Sequence, residues 1–224
     1  MGPTDAAEQI ADSAEEIAES AEEIAAERAE RRASERFRSR AALVIAILAM
    51  LLAITTLAGG NVTDDMINSN IEASDTWAFY QAKNVRQTVN TLTADQMEAL
   101  LLLQSASVPP AVRRDIEKRI SKYRATAARY ESERDPADPG NPLKGEGKKE
   151  LAARAQHAEA ARDHALKQDP NFDYAEALFQ IAIVLGSVAI LATSRPVLAL
   201  ATLLGAAATV LMVNGFLLFF PLPF

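Results

Sequence analysis

Apolar positions along the chain fall into three long runs separated by polar stretches. The first run covers residues 41–58, has no charge and no proline up to Leu57, and is followed by Gly59 and Gly60. A helix rises about 1.5 Å per residue, so the run covers about 27 Å of a hydrocarbon core about 30 Å thick. The pattern therefore predicts a transmembrane helix at residues 41–58.

The other two apolar runs lie near the end of the sequence. Residues 175–193 and 197–220 each predict a further transmembrane helix, and the polar residues 194–196 predict a tight turn between them. With the first run this gives an all-α membrane protein with three transmembrane helices. A membrane protein of this kind has membrane lipid as an obligatory partner.

Small and polar residues in the last two runs predict how these helices pack. Ala201, Gly205 and Thr209 recur at intervals of four, the spacing that lets helices approach closely in lipid. We expect them to pack the last two helices against each other and against a neighbour. Gln180 and Asn214 are the notable polar side chains there, and interhelical hydrogen bonding is their commonest use.

Residues 1–40 carry a heptad repeat, visible in the near-copies IADSAEE, IAESAEE and IAAERAE. The predicted coiled-coil seam consists of Ile10, Ala14, Ile17, Ala21 and Ile24. This makes the N-terminal segment an amphipathic, coiled-coil-like helix whose association is helped by membrane anchoring. A solvated single helix, supported by its alanine content, is the alternative.

Residues 59–174 are polar and rich in helix formers, which predicts an extramembrane helical hairpin. A first helix is expected from Asp64 to Gln104, and a second after Pro109. Residues 135–147 hold three prolines and three glycines and predict a loop. A third helix is expected from residue 148 to 167, ended by Asp169 and Pro170.

The first of these helices has a narrow apolar stripe, which suits an antiparallel helical hairpin or a coiled coil better than a globular core, with a stability that depends on neighbouring subunits as one possibility. The stripe consists of Ile67, Ile71, Ala78, Val85 and Leu92, interrupted by Ser74, Gln81 and Thr88. Trp77 and Tyr80 share a face of the same helix and are expected to pack between helices, with a membrane-interface position as the alternative.

Charge predicts the orientation in the membrane. Residues 28–40 hold six arginines, whereas residues 59–78 hold four acids and no lysine or arginine. Basic residues mark the cytoplasmic side, so the N-terminus is expected in the cytoplasm and residues 59–174 in the periplasm. The net charge of −7 and the pI near 5 argue against a nucleic-acid partner.

Two sequence blocks resemble a known family. The runs IEASDTWAFYQAKNVRQTV (71–89) and ALFQIAIVLGSVAILATSR (177–195) are similar to a bacterial membrane-protein family catalogued as domain of unknown function 4337. The resemblance covers about residues 40–220 and implies an anchor, a helical segment and a C-terminal membrane hairpin in the bacterial inner membrane. It implies no activity, and it does not extend to the N-terminal heptads.

No residue pattern points to catalysis. His157 and His164 lie seven residues apart on a predicted helix, about 10 Å from each other, too far to share one metal ion without another ligand. There is no cysteine, and no phosphate-binding glycine loop or hydrolase motif. We therefore expect no enzyme, cofactor or metal. The expected function is an oligomeric scaffold or an accessory subunit of a larger inner-membrane assembly, such as an energy-converting complex, with a homo-oligomeric channel as the alternative.

Overall fold

The structure, a computed structural model, describes the backbone of residues 3–104 and 107–222, and side chains from residue 27 onward in these ranges together with Ile24. The described residues form four α-helices and no strand, which confirms the all-α prediction for this part of the chain. The helices are α1 (Pro3–Leu103), α2 (Pro110–Glu131), α3 (Lys148–Ala192) and α4 (Arg195–Leu217).

Three of these helices contain segments long and apolar enough to cross a membrane. They lie within Glu27–Leu103 of α1, Lys148–Ala192 of α3 and Arg195–Leu217 of α4. The chain divides into two compact units, which are described separately. The first, the membrane-type unit, comprises Met1–Gly59 with Pro170–Phe224, and the second, the polar unit, comprises Gly60–Asp169.

Helix α1 does not end where its sequence predicts. Gly59 and Gly60 were expected to close the first apolar helix, with Asp64 or Asp65 starting another, yet the helix is continuous through all four positions. A glycine within a helix costs only about 1 kcal/mol relative to alanine, so two of them weaken a helix without ending it. Gly59 also has a packing use, because a Cβ there would lie 3.2 Å from Cβ of Phe172.

Helix α3 also runs through its predicted end. Pro170 lies inside the helix and does not terminate it. Proline has a backbone φ suited to a helix and removes a single N–H, so a helix passes through it when its next turn is held by packing. Phe172 provides this packing: it is 1% exposed and its ring meets that of Phe216 edge to face, with centroids 5.0 Å apart.

The membrane-type unit packs α1, α3 and α4 through seams that alternate small residues with a few large ones. Buried positions recur at steps of three, four and seven, the spacing of left-handed helix packing. They are Ala41, Leu48 and Thr55 on α1; Phe172, Ala175, Phe179, Ala182 and Ala189 on α3; and Ala201, Gly205, Ala208 and Met212 on α4. Between α3 and α4 the chain turns at Thr193, which has a φ of 49°, and the amide of Ser194 donates to the carbonyl of Ala189 at 3.1 Å.

In the polar unit, α1 is antiparallel to α3 and then to α2. Thr63 donates to Asp169 at 2.9 Å and Lys148 to Asn84 at 3.0 Å, so rising numbers on α1 meet falling numbers on α3. Further along α1, Gln87 donates to the carbonyl of Ala127 at 3.1 Å. The two partner helices contribute buried residues to this unit: Ile120 and Ala127 of α2 and Leu151, Ala155, Ala158 and Ala165 of α3.

Candidate interaction surfaces

The small-residue stripe on α4 contacts α1 of the same chain. A Cβ at Gly205 would lie 2.4 Å from Cδ2 of Leu48, so a larger residue here would require the Leu48 side chain to shift. Ala201 is fully buried, and half-buried Thr209 donates its hydroxyl to the Gly205 carbonyl at 2.8 Å. The sequence hypothesis left α1 out of this contact. The spacing of small residues shows how closely a helix can be approached, but it does not identify the helix that approaches.

Asn214 forms the polar link between α3 and α4. It is 1% exposed, and its Nδ2 donates to Oδ1 of Asn171 at 2.7 Å and to the carbonyl of Phe220 at 3.0 Å. Its Oδ1 accepts from the Phe220 amide at 3.1 Å. Asn171 was missed from the sequence because it follows a proline that looked like the end of a helix. The sequence feature that could have indicated it is an amide side chain next to a phenylalanine, at the border of an apolar run.

Gln180 does not join Asn214 in this network. Its side chain is exposed, and Nε2 donates to Glu176 of the same helix at 3.1 Å. The prediction that Gln180 bonds between helices is therefore wrong within the chain. Helix rotation explains the difference: Gln180 is one residue beyond buried Phe179, which turns it by about 100° away from the seam.

Three hydroxyl groups in the apolar segments donate to carbonyls of their own helices. Thr55 donates to the carbonyl of Leu51, Ser187 to that of Ile183 and Thr202 to that of Leu198, at 2.8–3.0 Å. Each hydroxyl uses its one proton in this bond and keeps its oxygen lone pairs as acceptors. The three hydroxyls lie on three different helices, so they do not form a row along any one helix.

Trp77 and Tyr80 contact each other and α3 in the polar unit. Their rings meet edge to face, with centroids 5.4 Å apart and planes at 79°. Trp77 Nε1 donates to Oε1 of Glu159 at 2.8 Å, and Nζ of Lys148 lies 5.7 Å from the centroid of the Tyr80 ring. These contacts place the aromatic pair between α1 and α3.

A buried charged cluster holds the loop between α2 and α3, and sequence reasoning missed it. Lys83, whose side chain is 8% exposed, pairs with Glu133 at 3.3 Å and with Glu146 at 3.5 Å. Glu150 accepts from the Ser132 hydroxyl at 2.6 Å and from the Glu133 amide at 3.2 Å. The glycines of the loop, which allow close packing, were the sequence feature that could have indicated this cluster.

The two acids beside this loop have lowered pKa values. Burial raises the pKa of Glu150, but the hydrogen bonds from Ser132 and Glu133 outweigh burial and bring the pKa below its ordinary 4.5. The pKa of Glu131 is lowered chiefly because Gln87 donates to it at 3.1 Å, and also because Lys148 pairs with it at 3.2 Å. Both acids are therefore ionised in the folded state, as structural anchors of the loop.

The apolar stripe of α1 lies on the surface of the polar unit. Ile67, Ile71, Val85 and Leu92 are 48%, 52%, 62% and 54% exposed, and the intervening stripe residues are exposed as well. Of the two arrangements that the sequence left open, the stripe does not face the hairpin within the chain. The buried face of α1 instead carries Ala73, Thr76, Lys83 and Ala94. The inner face carries small and polar residues because α2 and α3 approach it closely. Hydrophobicity alone does not reveal which face of α1 is approached.

The remaining predicted residues are the N-terminal seam and the two histidines. Of the N-terminal seam, Ile24 is 48% exposed, whereas Ile10, Ala14, Ile17 and Ala21 lie outside the described side chains. His157 and His164 are exposed on α3. Within the described residues, no group of three or more histidines and acids is placed to hold a metal ion.

Comparison with protein families places this all-helical chain, with its three membrane-length helices, in a known family. Residues 37–218 match the family described as Domain of unknown function (DUF4337), and the chain belongs to this family. No curated protein and no solved structure matches the chain. The match covers α1 from just before its apolar run to the end of α4, and it confirms the resemblance drawn from the two sequence blocks.

Proposed function

We propose that the chain is a non-enzymatic, homo-oligomeric scaffold of the bacterial inner membrane, or an accessory subunit built on the same contacts. The observation that carries this proposal is the exposed apolar stripe of α1. Seven-residue steps relate Ile71, Ala78, Val85 and Leu92, and none of the eight stripe residues from Ile67 to Leu92 is charged. An uncharged seven-residue repeat on one helix is suited to pairing with a second copy of itself.

The stripe is on the opposite side of α1 from the intramolecular core. At about 100° per residue, Ala78 and Val85 point roughly half a turn away from Thr76 and Lys83, which are buried. Covering the exposed half of Ile67, Ile71, Val85 and Leu92 contributes roughly 1 kcal/mol for each side chain. Membrane anchoring raises the local concentration of the copies, so a seam of this strength supports association.

A cysteine cross-link tests this pairing, because the chain has no native cysteine. In full-length protein in lipid nanodiscs, Val85→Cys should form disulfide-linked dimers. Arg86→Cys is the matched control: it is also exposed but rotated by about 100° from the stripe, and should cross-link far less. Equal cross-linking at the two positions, or a monomeric mass for the unmodified chain, would contradict the proposed seam.

The proposed topology places three transmembrane segments with the N-terminus in the cytoplasm and residues 59–174 in the periplasm. Its support is the arginine-rich segment 28–40 beside the first apolar run and the acidic segment after it. An alkaline phosphatase fused at Gly140 should be active, and a cytoplasmic reporter fused at the same position should be silent. The opposite pattern would reverse the assignment.

A scaffold is favoured over a channel by the scarcity of polar side chains in the apolar segments. A conducting path needs a continuous row of polar groups. The segments offer only scattered hydroxyls, such as those of Thr55, Ser187 and Thr202 on three different helices, and the Asn214 amide is bonded to Asn171 and Phe220. Purified protein in planar bilayers should therefore give no discrete current, and a reproducible current changed by Asn214→Ala would favour the channel.

A further inference from the structure

A groove in the membrane-type unit combines three arginines with an apolar wall. It lies between the part of α1 just before the first apolar run and the first turns of α4, and its volume is about 940 Å³. The residues that matter for its chemistry are Arg36, Phe37, Arg40, Arg195, Leu198 and Leu203. A cavity of this size is in the range of sites that hold small organic ligands.

The arginines of the groove lack counter-charges within the described part of the chain. Arg31 nearby pairs with Glu27 at 2.6 Å, but no described carboxylate lies within salt-bridge distance of Arg36, Arg40 or Arg195. All three side chains are exposed, so water and salt screen their mutual repulsion, but together they attract an anion to the groove. Helix α4 begins at Arg195 without a side-chain cap at Ser194, so the positive end of its dipole adds to the same field.

The other wall of the groove selects the kind of anion. Leu198, Ala199, Leu203 and Ala206 line it from α4, and the one polar side chain on this wall, Thr202, donates its proton to the Leu198 carbonyl at 2.8 Å. A ligand that fills the groove therefore has an anionic group for the guanidiniums and hydrocarbon for the leucines. Planar guanidiniums bind phosphate through paired hydrogen bonds, which makes a phosphate ester the best-matched anion.

We propose that this groove binds an anionic phospholipid, with the phosphate among Arg36, Arg40 and Arg195 and the start of an acyl chain along Leu198 and Leu203. Basic pockets between membrane helices bind lipid head groups in this way. The inference uses the membrane insertion contained in the proposed function, but it adds a specific ligand class and does not depend on the oligomeric seam.

Native mass spectrometry of the full-length chain in detergent tests the site, with phosphatidylglycerol and phosphatidylcholine as the lipid probes. The unmodified protein should retain phosphatidylglycerol and bind phosphatidylcholine much more weakly. In the variant Arg36→Gln/Arg40→Gln/Arg195→Gln, the affinity for phosphatidylglycerol should fall on the order of 100-fold, since each basic group near an anionic lipid contributes about fivefold.

A control variant with the same loss of charge separates the groove from the general basic surface. Arg28, Arg32 and Arg38 are exposed and do not line the groove, so Arg28→Gln/Arg32→Gln/Arg38→Gln should stay within about threefold of the unmodified affinity. Replacing the three groove arginines with lysine retains the charge but not the paired hydrogen bonds, and should restore only part of the binding. Equal weakening in the groove and control glutamine variants would overturn the proposal.

A further variant distinguishes a lipid from a free phosphate ion. Ala199→Phe fills the apolar wall and should abolish lipid retention while leaving the arginines in place. Inorganic phosphate at millimolar concentration should not displace phosphatidylglycerol from the unmodified protein. Displacement by phosphate, or unchanged lipid binding in Ala199→Phe, would refute the lipid assignment.

Membrane fractionation keeps this outcome separate from that of the proposed function. A chain found outside the membrane fraction would refute the scaffold topology itself. A membrane-inserted chain that does not prefer phosphatidylglycerol over phosphatidylcholine would refute only the lipid site.

Discussion

Replacing Asn214 with alanine removes the hydrogen-bonded link between α3 and the end of α4. The side chain makes three hydrogen bonds, one with Asn171 and two with the backbone of Phe220, at 2.7–3.1 Å. Side-chain hydrogen bonds in membrane proteins contribute about 0.6 kcal/mol each on average, so three of them give roughly 2 kcal/mol. The expected result is a free energy of unfolding lower by about 2 kcal/mol, within a range of about 1–4 because single bonds reach about 1.7 kcal/mol.

The matched control is Gln180→Ala, because both amides were predicted from the sequence to join helices. Gln180 is exposed and bonds only within its own helix through Glu176, so its loss should change the free energy of unfolding by less than about 0.5 kcal/mol. Reversible unfolding of the full-length chain by sodium dodecyl sulfate in mixed micelles measures both variants. Equal effects of the two substitutions, or an Asn214→Ala variant as stable as the unmodified protein, would refute the assignment of the link.

The coupling between the two asparagines gives a second measurement on the same bond. In a double-mutant cycle with Asn171→Ala, the losses in the free energy of unfolding of the two single variants should sum to more than the loss of the double variant, because each single substitution breaks the same bond. A coupling energy of about 0.5 kcal/mol or more is expected. Additive effects would mean that the 2.7 Å bond between the side chains does not stabilise the fold.

Three further substitutions test the packing of the two units. Gly205→Leu should destabilise the chain by about 1–3 kcal/mol in the same unfolding assay, because the new Cβ would lie 2.4 Å from a Leu48 carbon. Gly60→Leu is the control: no atom lies within 4 Å of its Cβ, so this substitution should be neutral. Since the folded pKa of Glu150 is below 4.5, its ionised form stabilises the fold above that pH, and the stability should fall as the pH drops below about 4.5. Glu150→Gln should flatten this dependence, and a stability that rises on acidification would contradict it. Lys83→Met should increase protease cleavage in the loop at residues 132–147, because it removes the ion pairs of Lys83 with Glu133 and Glu146, while exposed Lys118→Met should not.

The sequence alone determined the features that depend on local chemistry. A charge-free run at residues 41–57 is long enough to cross a bilayer whatever its neighbours are. Helical periodicity predicted helices throughout, Pro109 and Pro110 marked the start of α2, and the predicted loop 135–147 lies within the non-helical link 132–147. Two specific blocks were enough to identify the family, because they combine order and spacing over many residues.

The tertiary structure decided which helix faces are buried and at which predicted helix ends the helix continues. Gly59, Gly60 and Pro170 look like helix ends because their local cost is unfavourable, but contacts such as that of Phe172 with Phe216 outweigh a cost of a few kcal/mol. The apolar stripe from Ile67 to Leu92 looks like a core face, yet the close approach of α2 and α3 selected the opposite face of α1. Hydrophobic periodicity gives the angle of a stripe around its own helix, whereas burial depends on partners distant in sequence. The pairing of Asn214 with Asn171 across 43 residues and the meeting of Arg40 with Arg195 at one groove therefore emerged only from the folded chain.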